Sequence, residues 1–135
     1  MESTNTLYTA TENTNEPFVA SKKDMSKLLT DIGYPQHVYG YNYILYALEL
    51  VSRDPQIMHH ITKEIYPDIA RHFGTTPERV EHSIRSSTRS AWAHGNEVLI
   101  NQIFGYSVST QKRVPTNAHL LAGLYQYLLC KKYKD

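Results

Sequence analysis

The fold is decided by residues 61–96, which read ITKEIYPDIARHFGTTPERVEHSIRSSTRSAWAHGN. Apolar residues recur at helical spacing on both sides of Gly74, so the pattern predicts two helices joined by a tight turn. Thr76 followed by Pro77 is typical of a helix start, because the threonine caps the helix and the proline has no N–H to leave unpaired there. The second helix is expected to run from Pro77 to about His94. The segment therefore predicts a helix-turn-helix.

The second of these helices is apolar on one side only. Helical spacing places the following residues on its buried face: Val80, Ile84, Thr88, Ala91 and Trp92. It places the following on the opposite face, with Arg85 beside them: Arg79, His82, Ser86 and Arg89. A helix that exposes arginines and short hydrogen-bonding side chains suits the major groove of DNA. From spacing alone, an ordinary solvated helix surface explains these residues equally well.

Composition bounds the class of protein. The chain has 135 residues and is 41% hydrophobic, which fits one globular domain with a hydrophobic core. No apolar run approaches the roughly 20 residues that a membrane helix needs. The polar, acidic amino terminus does not resemble a secretory signal. The single cysteine, Cys130, fits a reducing cytoplasm and is predicted to be a small core residue.

Charge divides the chain into two parts. Residues 1–21 carry three glutamates and no basic side chain, and they lack apolar periodicity, so we expect a disordered polar tail. The formal net charge of the whole chain is +1, which leaves +4 for the expected domain, residues 22–135. This mildly basic balance permits nucleic-acid binding without requiring it.

The remaining segments also read as helices, and the architecture is predicted to be all α. Besides the helix-turn-helix, helices are expected at residues 23–31, 37–53, 96–103 and from Thr116 or Asn117 onward, with a polar loop at 105–115. The helix before the turn is expected to bury Phe73. The tyrosines near residues 39–46 cannot all point inward, because their spacing wraps around the helix axis.

These residues carry a resemblance to a known family. In order along the chain, the matching residues are Ile32-Gly33, Pro35, His37, Gly40-Tyr41, Tyr43, Ile61-Thr62-Lys63, Tyr66-Pro67, Ile69-Ala70, Phe73, Thr75-Thr76, Arg79-Val80-Glu81, Ile84-Arg85, Ala91-Trp92, Gly95-Asn96, Phe104-Gly105-Tyr106, Val108-Ser109, Lys112 and Pro115-Thr116-Asn117. The chain resembles the carboxy-terminal DNA-binding domain of the sporulation response regulator, stage zero sporulation protein A, over roughly residues 25–129.

The resemblance implies a six-helix domain and a transcription regulator in the cytoplasm, at the nucleoid, of a spore-forming bacterium. It implies sequence-specific binding to double-stranded operator boxes of the TGTCGAA type in promoters of stationary-phase and sporulation genes. Family members usually carry a phosphoacceptor receiver domain, which the short polar segment before residue 22 cannot form. Family members bind adjacent boxes as dimers through contacts that involve the last helix, and the full-length regulator or RNA polymerase is a possible further partner.

The resemblance also assigns base-reading positions. Arg79 and Glu81 match residues that read base edges in the family; an arginine fork pairs with guanine, and a carboxylate accepts from cytosine N4. His82 stands where the family has an arginine, and Ser86 stands where it has a histidine. Each replacement loses reach or charge, so we expect weaker binding or a shifted box. His82 alone is as consistent with an exposed polar residue of no consequence.

Further candidates fall into two groups. The DNA-backbone candidates are Thr62, Lys63, Thr76, Arg85, Arg89, Lys112 and Arg113. The candidates for a dimer or partner contact on the last helix are Leu121, Leu124, Tyr125 and Leu128. For the cations among the first group, solubility alone is the competing explanation. Trp92 is expected in the core rather than in a stacking site.

Other classes of function find little support. The histidines do not repeat at ligand spacing, so we expect no metal site and no cofactor. The chain has no phosphate-cradling glycine loop and no nucleophile elbow, and Cys130 has no nearby histidine, so we do not expect an enzyme. The alternative to a DNA reader is a protein-interaction module that binds and modulates the full-length sporulation regulator.

Overall fold

The computed structural model describes residues 20–105 and 114–134, and side chains as far as 131. Within these ranges the secondary structure is helical, so the prediction of an all-α, six-helix domain is confirmed. The α-helices are α1 (Lys22–Ile32), α2 (Tyr39–Arg53), α3 (Tyr66–Phe73), α4 (Pro77–His94), α5 (Glu97–Phe104) and α6 (Asn117–Lys134). A 3-10 helix over Pro55–His60 joins α2 to the segment before α3. Residues 1–19 of the expected tail (1–21) and residues 106–113 of the expected polar loop lie outside the described residues.

The helix predicted to begin at Ile61 has two parts. Residues 61–65 form a π-helical turn that runs directly into α3, and the Tyr66 N–H bonds to the Ile61 carbonyl. Pro67 explains the change, since a proline has no N–H to donate and its ring would collide with the carbonyl four residues earlier in an α-helix. The wider π-helical turn moves the carbonyl four residues before Pro67 away from the proline ring, so that α3 can begin.

The beginning of α1 shifts the expected domain boundary. Ser21 caps α1 by accepting a 3.0 Å hydrogen bond from the Asp24 N–H, and Ala20 is buried. Both residues therefore belong to the folded domain, although composition assigned them to the tail.

At its other end, α1 abuts the joint between α4 and α5. The Asn96 N–H donates to the Ile32 carbonyl at 2.8 Å. Gly95 allows this approach, because a Cβ there would lie 2.2 Å from the same carbonyl oxygen.

The last helix contributes one broad face to the core. Its buried side chains are Leu120, Leu121, Leu124, Tyr125 and Leu128. At 100° per residue they span an arc of about 140° around the helix, a broad buried face. This width reflects packing of α6 against α2, α4 and α5.

Two of the core predictions are wrong. Phe73 is 40% exposed at the end of α3, where its ring packs edge-on against Tyr43 and Tyr46 instead of entering the core. Cys130 is exposed, because it follows the last buried turn of α6 on the side that faces away from α2 and α4. Trp92 is buried, as predicted, and its ring lies 5.3 Å from that of Phe104.

Candidate nucleic-acid interface

The turn between α3 and α4 sets the position of the candidate reading helix. Gly74 adopts the left-handed conformation, with φ 68°, and ends α3. Thr76 then caps α4 by accepting from the Arg79 N–H at 3.2 Å, as predicted, and Pro77 occupies the first turn. This geometry is a helix-turn-helix, and it places Arg79 in the first turn of the second helix.

The two faces of α4 are as predicted. Its buried residues are Val80, Ile84, Thr88, Ala91 and Trp92. The side chains exposed on the opposite face include Arg79, His82, Ser86 and Arg89. The structure therefore brings three of the candidate base-reading residues and one backbone candidate onto one accessible side of one helix.

The fourth candidate reader, Glu81, is paired within its own helix. Arg85 donates to both carboxylate oxygens, from Nε to Oε2 at 3.0 Å and from a terminal nitrogen to Oε1 at 3.1 Å. The same terminal nitrogen lies 3.4 Å from His82 Nδ1. Three neighbouring polar side chains thus form a connected group. Arg79 stands apart from it, since no ion pair joins Arg79 to another of the described residues.

A buried amide connects this region to the last helix. Asn117 donates both amide hydrogens, one to the Tyr66 hydroxyl and one to the Glu81 carbonyl, each at 3.0 Å. Burial raises the pKa of Tyr66 above its usual value, and Glu81 raises it further, while the hydrogen bond from Asn117 and the charge of Arg85 lower it. Tyr66 therefore remains a neutral hydroxyl at physiological pH. Sequence spacing gave no sign of this contact, because Asn117 is 51 residues from Tyr66 and 36 residues from Glu81 in the chain.

The amino-terminal end of α2 borders the exposed face of α4. One groove there is lined by Tyr39, Tyr43, Phe73, Gly74, Thr75, Glu78, Arg79, His82 and Ser83. A second groove is lined by Pro35, Val38, Tyr39, Gly40, His82, Ser83, Ser86, Ser87 and Ser90. Tyr39 is common to both and is 75% exposed. The sequence indicated that some tyrosine of α2 must face outward, but it did not indicate that this one would lie beside the reading helix.

The backbone candidates are dispersed around this face. Thr62 and Lys63 are exposed on the π-helical turn before α3, Thr76 is exposed at the start of α4, and Arg89 is exposed near the end of the reading face. Arg85 is occupied with Glu81, so its phosphate contact stays a prediction. Lys112 and Arg113 lie outside the described residues.

The proposed dimer residues require a correction. Leu121 and Leu124 have no exposed surface, and Leu128 and Tyr125 are 7% and 8% exposed. These side chains fill the core of the single chain, so they offer no apolar surface for a second copy or another partner. Apolar spacing marked them correctly as buried, and the error was to assign that buried surface to a partner.

Two further features of the described residues concern metal binding and membrane insertion. No three His, Cys, Asp or Glu side chains come together in a possible metal-binding group among residues 20–105 and 114–131. In the same part of the chain no helix combines the length and the apolar character needed to cross a bilayer.

Comparison with known families places this geometry in context. The family model described as "Sporulation initiation factor Spo0A C terminal" matches residues 25–128. The match covers most of the chain, including the whole helix-turn-helix and the contact between Asn117 and α4. It agrees with the range over which the sequence resemblance extends.

Proposed function

This chain belongs to the family of carboxy-terminal domains of the sporulation initiation factor Spo0A, and we propose that α4 reads the major groove of promoter DNA. The family is one of DNA-binding effector domains and not of enzymes. The observation that carries the proposal is the exposed face of α4, where Arg79, His82 and Ser86 stand opposite a buried face that is apolar except for Thr88. The target we propose is a promoter box of the TGTCGAA type in stationary-phase and sporulation genes.

Each reading residue has a chemical role in this proposal. Arg79, exposed in the first turn, pairs its planar fork with O6 and N7 of a guanine. Glu81 accepts a hydrogen bond from a cytosine N4 with a lone pair that Arg85 leaves free, since an ionised carboxylate offers about four acceptor sites. His82 and Ser86 follow on the same face and contact neighbouring bases. Thr62, Lys63, Thr76 and Arg89 anchor the phosphates.

Pairing of two copies on adjacent boxes is part of the same proposal. The four side chains that the sequence predicted for this contact, three leucines and a tyrosine of α6, are buried. The contact we propose therefore uses other, exposed side chains, and DNA holds the two copies near each other.

Fluorescence anisotropy tests the proposal directly. The intact protein is titrated into a labelled duplex carrying the family box and into a scrambled duplex, each at two salt concentrations. We expect tighter binding to the box, and a steep loss of affinity for both duplexes as salt rises. Equal, salt-sensitive binding to both would contradict this box as the target. Failure to bind either duplex would overturn the proposal and favour the protein-interaction alternative.

The first variant to test is Arg79→Ala. Loss of a paired guanine contact should weaken box binding by about 1–3 kcal/mol, with a much smaller effect on the scrambled duplex. Arg53→Ala is the matched control, because Arg53 is also exposed but lies at the carboxy-terminal end of α2. At a rise of 1.5 Å per residue, that end is about 20 Å from the amino-terminal end of α2, which borders the reading face. Equal losses on both duplexes for Arg79→Ala would reassign Arg79 to the phosphate backbone.

A further inference from the structure

Tyr39 is the most exposed of the large hydrophobic side chains that the described residues leave at the surface. It is 75% exposed, against 69% for Val98 and 40% for Phe73. Its ring is nevertheless supported on one side, where it stacks on the buried Tyr43 with 6.2 Å between centroids and 16° between planes. Tyr43 in turn meets the Phe73 ring edge-on at 5.2 Å. The ring is therefore supported on one side only, and most of the residue stays exposed to solvent.

The position of Tyr39 relative to α4 is fixed by the next residue. Gly40 lies against α4 so closely that a Cβ there would be 2.5 Å from the Ser83 carbonyl oxygen. The first turn of α2 is therefore held against the middle of the reading helix. Because Tyr39 lines both grooves beside His82 and Ser83, its side chain borders the reading face without belonging to α4.

The dimensions of DNA decide what a group in that position meets. The major groove is about 12 Å wide, and a helix with its side chains is about 10–12 Å across. A helix in the groove leaves no room for a second element to reach the base edges beside it. A side chain on a neighbouring helix faces the wall of the groove, which consists of the sugar-phosphate backbone.

From this juxtaposition we infer that Tyr39 donates a hydrogen bond from its hydroxyl to a backbone phosphate next to the box. The inference rests on the proposed function, because it requires α4 to lie in the major groove. Tyrosine is one of the neutral donors that contact phosphates in protein–DNA complexes, and such contacts fix the orientation of the protein on the duplex. Tyr39 therefore adds affinity and registration of α4, and it adds no direct base reading.

The test compares Tyr39→Phe with the unaltered protein on the box and scrambled duplexes. Removal of one hydrogen bond to a charged group should weaken binding to both duplexes by a similar factor, about tenfold. The dependence on salt should not change, because a neutral donor releases no counterion. Tyr127→Phe is the matched control: it removes a tyrosine hydroxyl from α6, which is not part of either groove, and should leave binding unaltered.

A modified duplex locates the contact. Phosphates flanking the box are replaced one at a time by uncharged methylphosphonates, and each duplex is titrated with both proteins. We expect one position at which the replacement weakens the unaltered protein more than Tyr39→Phe, since only the former loses the hydrogen bond.

The outcomes separate the two proposals. If the unaltered protein binds the box and Tyr39→Phe binds equally well, the Tyr39 contact is wrong and the reading role of α4 stands. A loss confined to the box would also overturn the contact, because it would indicate that Tyr39 reads a base. If the unaltered protein binds neither duplex, the proposed function fails and the Tyr39 contact fails with it.

Discussion

Arg85 changes what the acidic residue of the reading helix can do. An isolated carboxylate beside DNA would repel the phosphates, but the two hydrogen bonds from Arg85 offset the charge of Glu81 and hold its oxygens in one orientation. Both side chains are more than a third exposed, so the ion pair adds little to the free energy of folding. In the proposed reading role of Glu81 the ion pair matters for recognition, because a fixed acceptor discriminates between bases better than a mobile one.

Replacing Arg85 with lysine tests this role. Arg85→Lys keeps the positive charge but cannot make two parallel hydrogen bonds. We expect scrambled-duplex affinity to stay nearly unchanged, while discrimination between the box and a box altered at the cytosine read by Glu81 falls by about 1 kcal/mol. Arg89→Lys on the same helix is the control and should preserve discrimination. Unchanged discrimination in Arg85→Lys, measured by anisotropy, would show that Arg85 does not position Glu81.

At the scale of elements, the crossing of α2 and α4 sets how far the reading face projects. A Cβ at position 40 would lie 2.0 Å from Ser87 Oγ as well as 2.5 Å from the Ser83 carbonyl oxygen. The first of these atoms belongs to a side chain that can rotate, but the second is helix backbone. Only a glycine allows the two helices to approach this closely.

Gly40→Ala should therefore destabilise the protein, although alanine is the better helix former. Overpacking of this kind costs about 1–3 kcal/mol, measurable as a lower free energy of unfolding in urea. Asn42→Ala is the matched control, since residue 42 is exposed on the same helix and should change stability by less than about 0.5 kcal/mol. If Gly40→Ala were as stable as the unaltered protein, the close approach of α2 and α4 would be wrong.

The start of α6 is joined to the reading helix by the Asn117 amide. Asn117→Leu should cost about 2–4 kcal/mol of stability, because the buried Tyr66 hydroxyl and the Glu81 carbonyl both lose a donor. Tyr66→Phe alone should cost less than Asn117→Leu. In the Asn117→Leu protein, Tyr66→Phe should cost less than it does in the unaltered protein, since the leucine has already removed the hydrogen bond. Strict additivity of the two substitutions in urea unfolding would contradict the direct contact.

For the whole molecule, local periodicity predicted the elements and failed on questions that involve several helices. The faces of α4 and its Thr76 cap followed from spacing, because each depends on residues within a few positions. Spacing also placed Leu121 and Leu124 on the apolar face of α6, but it could not show that other helices of the same chain cover that face. The position of Phe73 likewise depends on another helix, because its ring packs against Tyr43 and Tyr46 of α2 instead of entering the core.

For the candidate site, too, the sequence predicted features within one helix but not contacts between helices. Periodicity placed Arg79 and His82 on the exposed face, and the family resemblance gave them roles. The place of Tyr39 beside that face could not be predicted, because it follows from contacts between residues more than 40 positions apart in the chain. The hydrogen bonds of Asn117 were hidden for the same reason.

We expect one buried tyrosine to make the stability of the whole domain depend on pH in the alkaline range. Tyr34, between α1 and α2, lies 2.7 Å from Thr88 Oγ1, and Thr88 itself donates to the Ile84 carbonyl. Tyr34 must therefore donate, which requires its proton. Burial raises the pKa of Tyr34 well above its ordinary value of 10.0, because the charged phenolate would lie in the core without water.

The sign of the effect follows from proton binding. Below about pH 10 both states keep the proton, so the contribution of Tyr34 to stability is complete. Above that pH the unfolded chain releases the proton and the folded protein retains it, so stability falls as pH rises, by up to about 1.4 kcal/mol per pH unit.

Tyr34→Phe should cost about 1 kcal/mol near neutrality and make the alkaline decline shallower. Urea unfolding from about pH 8 to 11 measures both effects, with the exposed Tyr39→Phe as control. A decline in Tyr34→Phe parallel to that of the unaltered protein would assign the alkaline sensitivity to other groups, of which Tyr66, with its pKa also raised by burial, is the first to test.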